Sequence, residues 1–99
     1  MAYILQSYKT APAKTFELPP DNKRKKLKSG DFAKVVFYSG SDRPAERMWV
    51  KVQTNKKGRY TGVLDDVPVV AVYLKCGDEI EFEWFNVIDI IENEEHKGR

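Results

Sequence analysis

Acid–base or nucleophilic chemistry in this chain has a short stock to draw on: one histidine, His96, one cysteine, Cys76, and the carboxylates Asp65, Asp66 and Asp89. A serine, threonine or cysteine nucleophile needs a base within hydrogen-bond reach. His96 stands in a polar terminal stretch where nothing is expected to hold its geometry. Cys76 lies in a glycine-containing turn beside Lys75, a cation that favours the thiolate, but it has no histidine near it in sequence. Asp65 and Asp66 are adjacent in Asp65-Asp66-Val67-Pro68, which reads as a turn where aspartate is favoured for hydrogen-bonding the backbone. One cysteine and one histidine do not make a zinc site. The expectation is a protein without catalysis, metal or cofactor.

Binding chemistry is better supplied. Trp49 stands between Arg47 and Lys51, and a tryptophan flanked by cations has the composition of an interface hot spot if it is exposed. Residues 1–18 are the alternative cover for it. Arg47, Trp49, Lys51 and Tyr60, with Asp65 and Asp66 of the turn, form the candidate contact set for a protein partner. Two basic runs form a rival set for nucleic acid: Lys23, Arg24, Lys25, Lys26 and Lys28, then Lys56, Lys57 and Arg59. Such clusters attract phosphate backbones by releasing counterions, and Trp49 and Tyr60 would supply stacking faces. The acidic C-terminal third argues against this set. Residues 1–62 carry 14 Lys/Arg against 5 Asp/Glu, residues 63–99 carry 3 against 10, and the net charge is only +2. Glu79, Glu81 and Glu83 share one strand parity, a solvated stripe that protects a sheet edge and also suits a basic partner.

The elements that must position these residues are short strands. Leu-Lys-X-Gly-Asp occurs twice, at Leu27–Asp31 and Leu74–Asp78, and each copy opens an apolar run. Gly-Asp supplies a turn, because glycine accepts positive φ and aspartate hydrogen-bonds the backbone just ahead of it. The rest of the two copies does not align, so two similar turns meeting similar strands is the simpler account. A strand is expected over Phe32–Tyr38, followed by a turn-rich loop, Ser39–Pro44. Another is expected over Glu46–Gln53, with Met48, Val50 and Val52 on the face opposite Arg47, Trp49 and Lys51. Asn55-Lys56-Lys57-Gly58 reads as a hairpin turn into Arg59–Leu64, where Gly62 signals a bulge or bend. A final hairpin is expected to pair Glu79–Trp84 with Val87–Ile91 across Phe85-Asn86. Before the first strand, Asp21 or Asn22 is expected to cap a two-turn helix through Lys28 anchored by Leu27. Five to six short strands with regular turn signals predict a mainly β domain, a small SH3-like antiparallel barrel with one short helix near the N-terminus.

The ordered set Glu46-Arg47-Met48-Trp49-Val50-Lys51-Val52, Tyr60-Thr61-Gly62-Val63-Leu64-Asp65-Asp66-Val67-Pro68, Leu74-Lys75-Cys76-Gly77-Asp78-Glu79-Ile80-Glu81-Phe82 and Val87-Ile88-Asp89-Ile90 resembles the YegJ-like family of small bacterial proteins of unknown function. Val67 departs from that family's small polar residue after the Asp-Asp pair. The resemblance spans about Leu27–Ile91 and implies a compact β-rich fold, with no catalytic residue or ligand to carry across. A more distant similarity to immunity proteins encoded beside bacterial toxins implies toxin neutralisation as another function.

Ninety-nine residues with 41% hydrophobic and 12% aromatic content make one globular domain. Residues 1–20 are expected as an extended lead-in with Phe16 and Leu18 against the core, 21–91 as the barrel, and 92–99 as a frayed polar tail. The longest apolar stretch, Val67–Leu74, is broken by Pro68 and far below the ~20 residues of a membrane helix. The start, Met1–Gln6, lacks a signal-peptide pattern, and a lone cysteine fits a reducing compartment. These features predict a bacterial cytoplasmic binding module acting on an unknown protein partner, with nucleic acid as the alternative and no membrane.

Overall fold

The computed structural model describes residues 4–9, 17–38 and 44–93. Six strands form one antiparallel sheet: β1 (Ile4–Leu5), β2 (Phe32–Tyr38), β3 (Glu46–Lys56), β4 (Arg59–Leu64), β5 (Glu79–Glu83) and β6 (Val87–Ile91). Its order is β1-β2-β3-β4-β5, with β6 returning to pair with β2. β1 and β6 meet different stretches of β2, Phe37–Tyr38 and Phe32–Val35 respectively, so the sheet curls into a nearly closed, SH3-like barrel. A single helical turn, α1 (Asp21–Arg24), stands between β1 and β2 in the chain.

The alternation in the sequence decides which side of each strand faces in. Met48, Val50 and Val52 of β3, Tyr60 and Leu64 of β4, and Ile80 and Phe82 of β5 are buried together with Val35, Phe37 and Val87. Both Leu-Lys-X-Gly-Asp copies build the same turn. In the first, Gly30 has φ +97°, the amide of Asp31 donates to Lys28 O (2.9 Å), and Asp31 Oδ2 accepts from the Lys28 amide (2.8 Å). In the second, Gly77 has φ +98°, with the amide of Asp78 on Lys75 O (3.0 Å) and the Lys75 amide on Asp78 Oδ2 (2.9 Å). Each turn then docks on a strand through a reciprocal pair of backbone bonds, Gly30 and Asp31 on Val52, Gly77 and Asp78 on Leu64. Leu27 and Leu74, which open the two copies, both enter the core.

The β3–β4 hairpin closes through Lys57 (φ +55°) and Gly58 (φ +89°), the two positive-φ residues that a two-residue turn of this twist requires. Gly62 pairs with Val52, where a Cβ would stand 2.5 Å from Lys51 O and 2.6 Å from Val50 Cγ1. The expected irregularity lies beside it: the pairing slips between Val52 and Thr54.

Three expectations are corrected. β5 and β6 do not form a hairpin, because Trp84–Asn86 is a 3-10 turn that sends β6 across to β2. Asn86 fixes that turn, its Oδ1 accepting from the Glu83 amide (2.8 Å) and its Nδ2 donating to Gln6 O (3.0 Å). The helix is one turn, with Pro20 at its N-cap and no side-chain cap. It stops at Arg24 because the carbonyls that would continue it are taken by the hairpin. Arg24 O accepts from the Tyr60 hydroxyl, and Lys25 O (3.0 Å) and Leu27 O (2.9 Å) accept from Asn55 Nδ2. The first residues of the expected tail are tied down: Glu92 reaches Lys23 (3.7 Å) and the Asn93 amide donates to Asp31 Oδ1 (2.8 Å). Leu18 is half-buried, while the expectations for Phe16, for 39–43 and for the tail from residue 94 fall outside the described residues.

Candidate functional site

β3 outlasts its partner. β4 pairs with it only from Lys56 back to Val50, so residues 46–49 lose their neighbour on that side. The loop leaving Leu64 takes over. The amide of Asp65 donates to Trp49 O (2.9 Å), and Asp66 Oδ2 accepts from the Trp49 amide (3.1 Å), standing in for a strand carbonyl. Farther along, the Glu46 carboxylate accepts three consecutive amides, from Val69 (2.8 Å), Val70 (2.8 Å) and Ala71 (2.7 Å). Pro68 has no amide to offer, so the cradle begins at 69. Burial alone would raise the Glu46 pKa, but the three amide donors outweigh it and hold the carboxyl below its ordinary 4.5.

This tethering fixes a loop that faces its apolar side chains outward. Ala71 and Leu74 enter the core, yet Val67, Val69 and Val72 are 74%, 78% and 69% exposed. Tyr73, next to Val72, donates its hydroxyl to Tyr38 O (2.9 Å). Burial, then the Glu46 charge, raises its pKa above 10.0. Tyr38 is itself exposed and pairs with the exposed Ile4, so the apolar surface runs from the loop onto the β1–β2 end of the sheet.

On the adjoining outer face a cross-strand row reads Asp89 (β6), Lys34 (β2), Trp49 (β3). Lys34 Nζ lies 4.9 Å from the centre of the half-buried Trp49 ring, a cation–π contact, and Arg47 and Lys51 are exposed on the same strand. Asp89 and Trp49 are two strand spacings apart, about 10 Å, with Lys34 between them. Asp89 therefore does not join Asp65 and Asp66 in a carboxylate cluster. Among the described residues no three His, Cys, Asp or Glu side chains are placed to hold a metal ion, and no helix is long and apolar enough to cross a membrane.

Of the candidate protein-contact set, Arg47, Trp49, Lys51, Asp65 and Asp66 lie along this part of β3 and its loop. Tyr60 does not belong there. It is 2% exposed, stacked on Phe82 (4.9 Å between centroids), and its hydroxyl links Arg24 O to the Leu27 amide. In the basic set Arg24 is likewise internal, 1% exposed. Its Nη1 donates to Tyr8 O (2.9 Å) and Val87 O (3.0 Å), and its Nη2 pairs with Asp21 Oδ1 (2.8 Å). Lys23 reaches Glu92, Arg59 pairs with Glu83 (3.0 Å), and Lys25 lies over the Trp84 ring (4.5 Å). Lys26, Lys28, Lys56 and Lys57 remain exposed, without an ion pair among the described residues.

Glu46 and the three valines were not among the sequence candidates. Four valines in six residues, Val67, Val69, Val70 and Val72, with Pro68 among them were the available signal, but an apolar run of that length reads as buried. Comparison with protein-family models, with curated proteins and with solved structures found no match.

Proposed function

We propose that this barrel is a non-catalytic protein-binding module whose contact surface is the Val67–Val72 loop with Arg47 and Trp49 of β3. One observation carries the reading: three valines stand largely exposed on a backbone held by the Glu46 carboxylate. Scattered exposed valines are ordinary, but three on one tethered loop make an apolar patch on the order of a few hundred Å², the size that marks interaction sites. A tethered loop also binds with little ordering cost. Arg47 and Trp49 beside it supply the residue types that dominate interface energies. Two of the motifs behind the YegJ-like resemblance, Glu46–Val52 and Tyr60–Pro68, carry Glu46, Arg47, Trp49 and Val67 of this surface, while Val69 and Val72 lie beyond them. A cytoplasmic setting is the compartment that suits the exposed free thiol of Cys76.

The test begins with capture from a nuclease-treated bacterial lysate on wild type, Val69→Asp and Trp49→Ala, followed by titration with the purified captured partner. Val69 is so exposed that its replacement leaves the fold intact. The expected result is a loss of tenfold or more, about 1.4 kcal/mol, for Val69→Asp, with a smaller loss for Trp49→Ala. A partner that binds all three equally sinks the proposal.

A further inference from the structure

The two lysine runs, about thirty residues apart in sequence, are one surface in the fold. Asn55 joins them: its Nδ2 donates to Lys25 O (3.0 Å) and Leu27 O (2.9 Å), and its Oδ1 accepts from the Gly58 amide (2.8 Å). One side chain thereby fixes the segment carrying Lys25, Lys26 and Lys28 against the hairpin tip carrying Lys56 and Lys57. Tyr60, bonded to Arg24 O and the Leu27 amide, clamps the same junction from inside.

We propose that this joined lysine surface binds the phosphate backbone of duplex nucleic acid without reading its bases. The occupant follows from what the surface holds and lacks. Its free charges are all lysines, point charges suited to phosphates, and the two arginines nearby are engaged, Arg24 internally and Arg59 with Glu83. An acidic protein partner would instead favour the forked guanidinium. Base stacking needs an open aromatic face, but the Trp84 ring has Lys25 and Arg24 over it at 4.5 and 5.1 Å, and it lies so close to the hairpin tip that a Cβ at Gly58 would stand 2.9 Å from Trp84 Cδ1. Anchoring in a lipid surface needs apolar side chains beside the cations. The exposed valines sit instead beyond Trp49, about 25 Å along β3 from the hairpin tip at roughly 3.3 Å per residue. Glu81 and Glu83 line the groove next to Lys56 and Arg59, and they confine the phosphate track to the lysine side of the tip.

The experiment is fluorescence-anisotropy titration of a labelled 20-base-pair duplex, in several unrelated sequences, at 50 to 200 mM salt. Four phosphates neutralised by Lys26, Lys28, Lys56 and Lys57 give a log–log salt slope of about −3.6, or roughly a 100-fold loss of affinity over that range. Lys56→Gln/Lys57→Asn, in which asparagine tolerates the positive φ, halves the slope to about −1.8. Lys26→Gln/Lys28→Gln does the same from the other run, and Lys75→Gln, in the turn that precedes β5 and docks on Leu64, changes nothing. No binding at 50 mM salt, a slope unmoved by both double variants, or equal binding to vesicles of anionic phospholipid overturns the proposal. The protein-binding reading is tested by variants at Val69 and Trp49, so either proposal can fail without the other.

Discussion

Glu46→Gln tests whether the valine loop is held rather than merely placed. The substitution keeps the size of the side chain but replaces one acceptor oxygen with an amide donor. Glu46 Oε1 serves Val70 and Ala71 while Oε2 serves Val69, so glutamine retains one oxygen for two amides and sets N–H against N–H at the third. A hydrogen bond to a charged group contributes about 1.5–3 kcal/mol when buried. The carboxylate here is half-buried and solvent-screened, which lowers each value, so the three together stabilise the loop by about 2 kcal/mol. The loss is local, since Ala71 and Leu74 remain anchored in the core. Amide hydrogen exchange at residues 69–71 is the assay, with about a 30-fold faster exchange expected in the variant at neutral pH. The pH dependence follows from the lowered pKa. A carboxyl whose folded pKa lies below its unfolded value stabilises above 4.5 and loses that effect as pH falls through the folded value. Once normalised to the rates of unstructured peptides, exchange at 69–71 in wild type should therefore accelerate below pH 4.5 and that in Glu46→Gln should not. Protection at 69–71 that matches wild type in the variant would refute the reasoning.

Arg24→Met removes a buried guanidinium and leaves Val87 O without its donor, so denaturant titration should show a loss of about 2–4 kcal/mol. Arg24→Lys should rescue only part of it, since one ammonium cannot reproduce the fork spanning Tyr8 O, Val87 O and Asp21. Gly62→Ala drives a Cβ into the Lys51 carbonyl on the partner strand and should cost about 2 kcal/mol in the same assay, although Gly62 has no positive φ to explain it. Tyr60→Phe strands Arg24 O and the Leu27 amide at the junction of the basic runs, for about 2 kcal/mol. Burial, opposed by the Leu27 amide and assisted by Asp31, raises the Tyr60 pKa above 10.0. Stability should accordingly fall as pH rises past 10, more steeply in wild type than in Tyr60→Phe, and ultraviolet titration should find a late-ionising tyrosine.

The turns and the strand parity were legible because each is set by a few consecutive residues. Gly30-Asp31 and Gly77-Asp78 each need only a positive φ and a side-chain acceptor three residues from its donor, and both copies deliver it. Met48, Val50 and Val52 face inward as alternation requires. Alternation also held the answer for Tyr60: it shares parity with Gly62 and Leu64, and its hydroxyl is satisfied by backbone groups more than thirty residues back. Arg24 stands three residues before Leu27, and both are buried, but a cation in a run of cations reads as solvated. The separation of β5 from β6 was not legible, since it turns on Asn86 reaching Gln6, eighty residues away in sequence.

The valine loop, and the polar tethers behind both candidate surfaces, escaped the sequence for the same reason, and the reason bears on what the fold does. An apolar run such as Val67–Leu74 is ordinarily driven inward by burial worth about 1.5–3 kcal/mol per valine-sized side chain. Here only Ala71 and Leu74 go in, because the Glu46 carboxylate and the Trp49 backbone fix the chain between them in a path that points the valines out. The energy that holds the loop comes from polar groups on β3, so exposure of the valines is a property of the folded sheet and not of the loop itself. The lysine surface has the same construction, with Asn55 on the far end of β3 doing for the two basic runs what Glu46 does for the valines. One strand of eleven residues thus organises both ends of the molecule, through side chains that neither alternation nor composition singles out. On this logic, polar tethers on long strands are where a small barrel of this kind sets its surfaces, and loosening either tether should weaken binding at its own end while leaving the other unchanged.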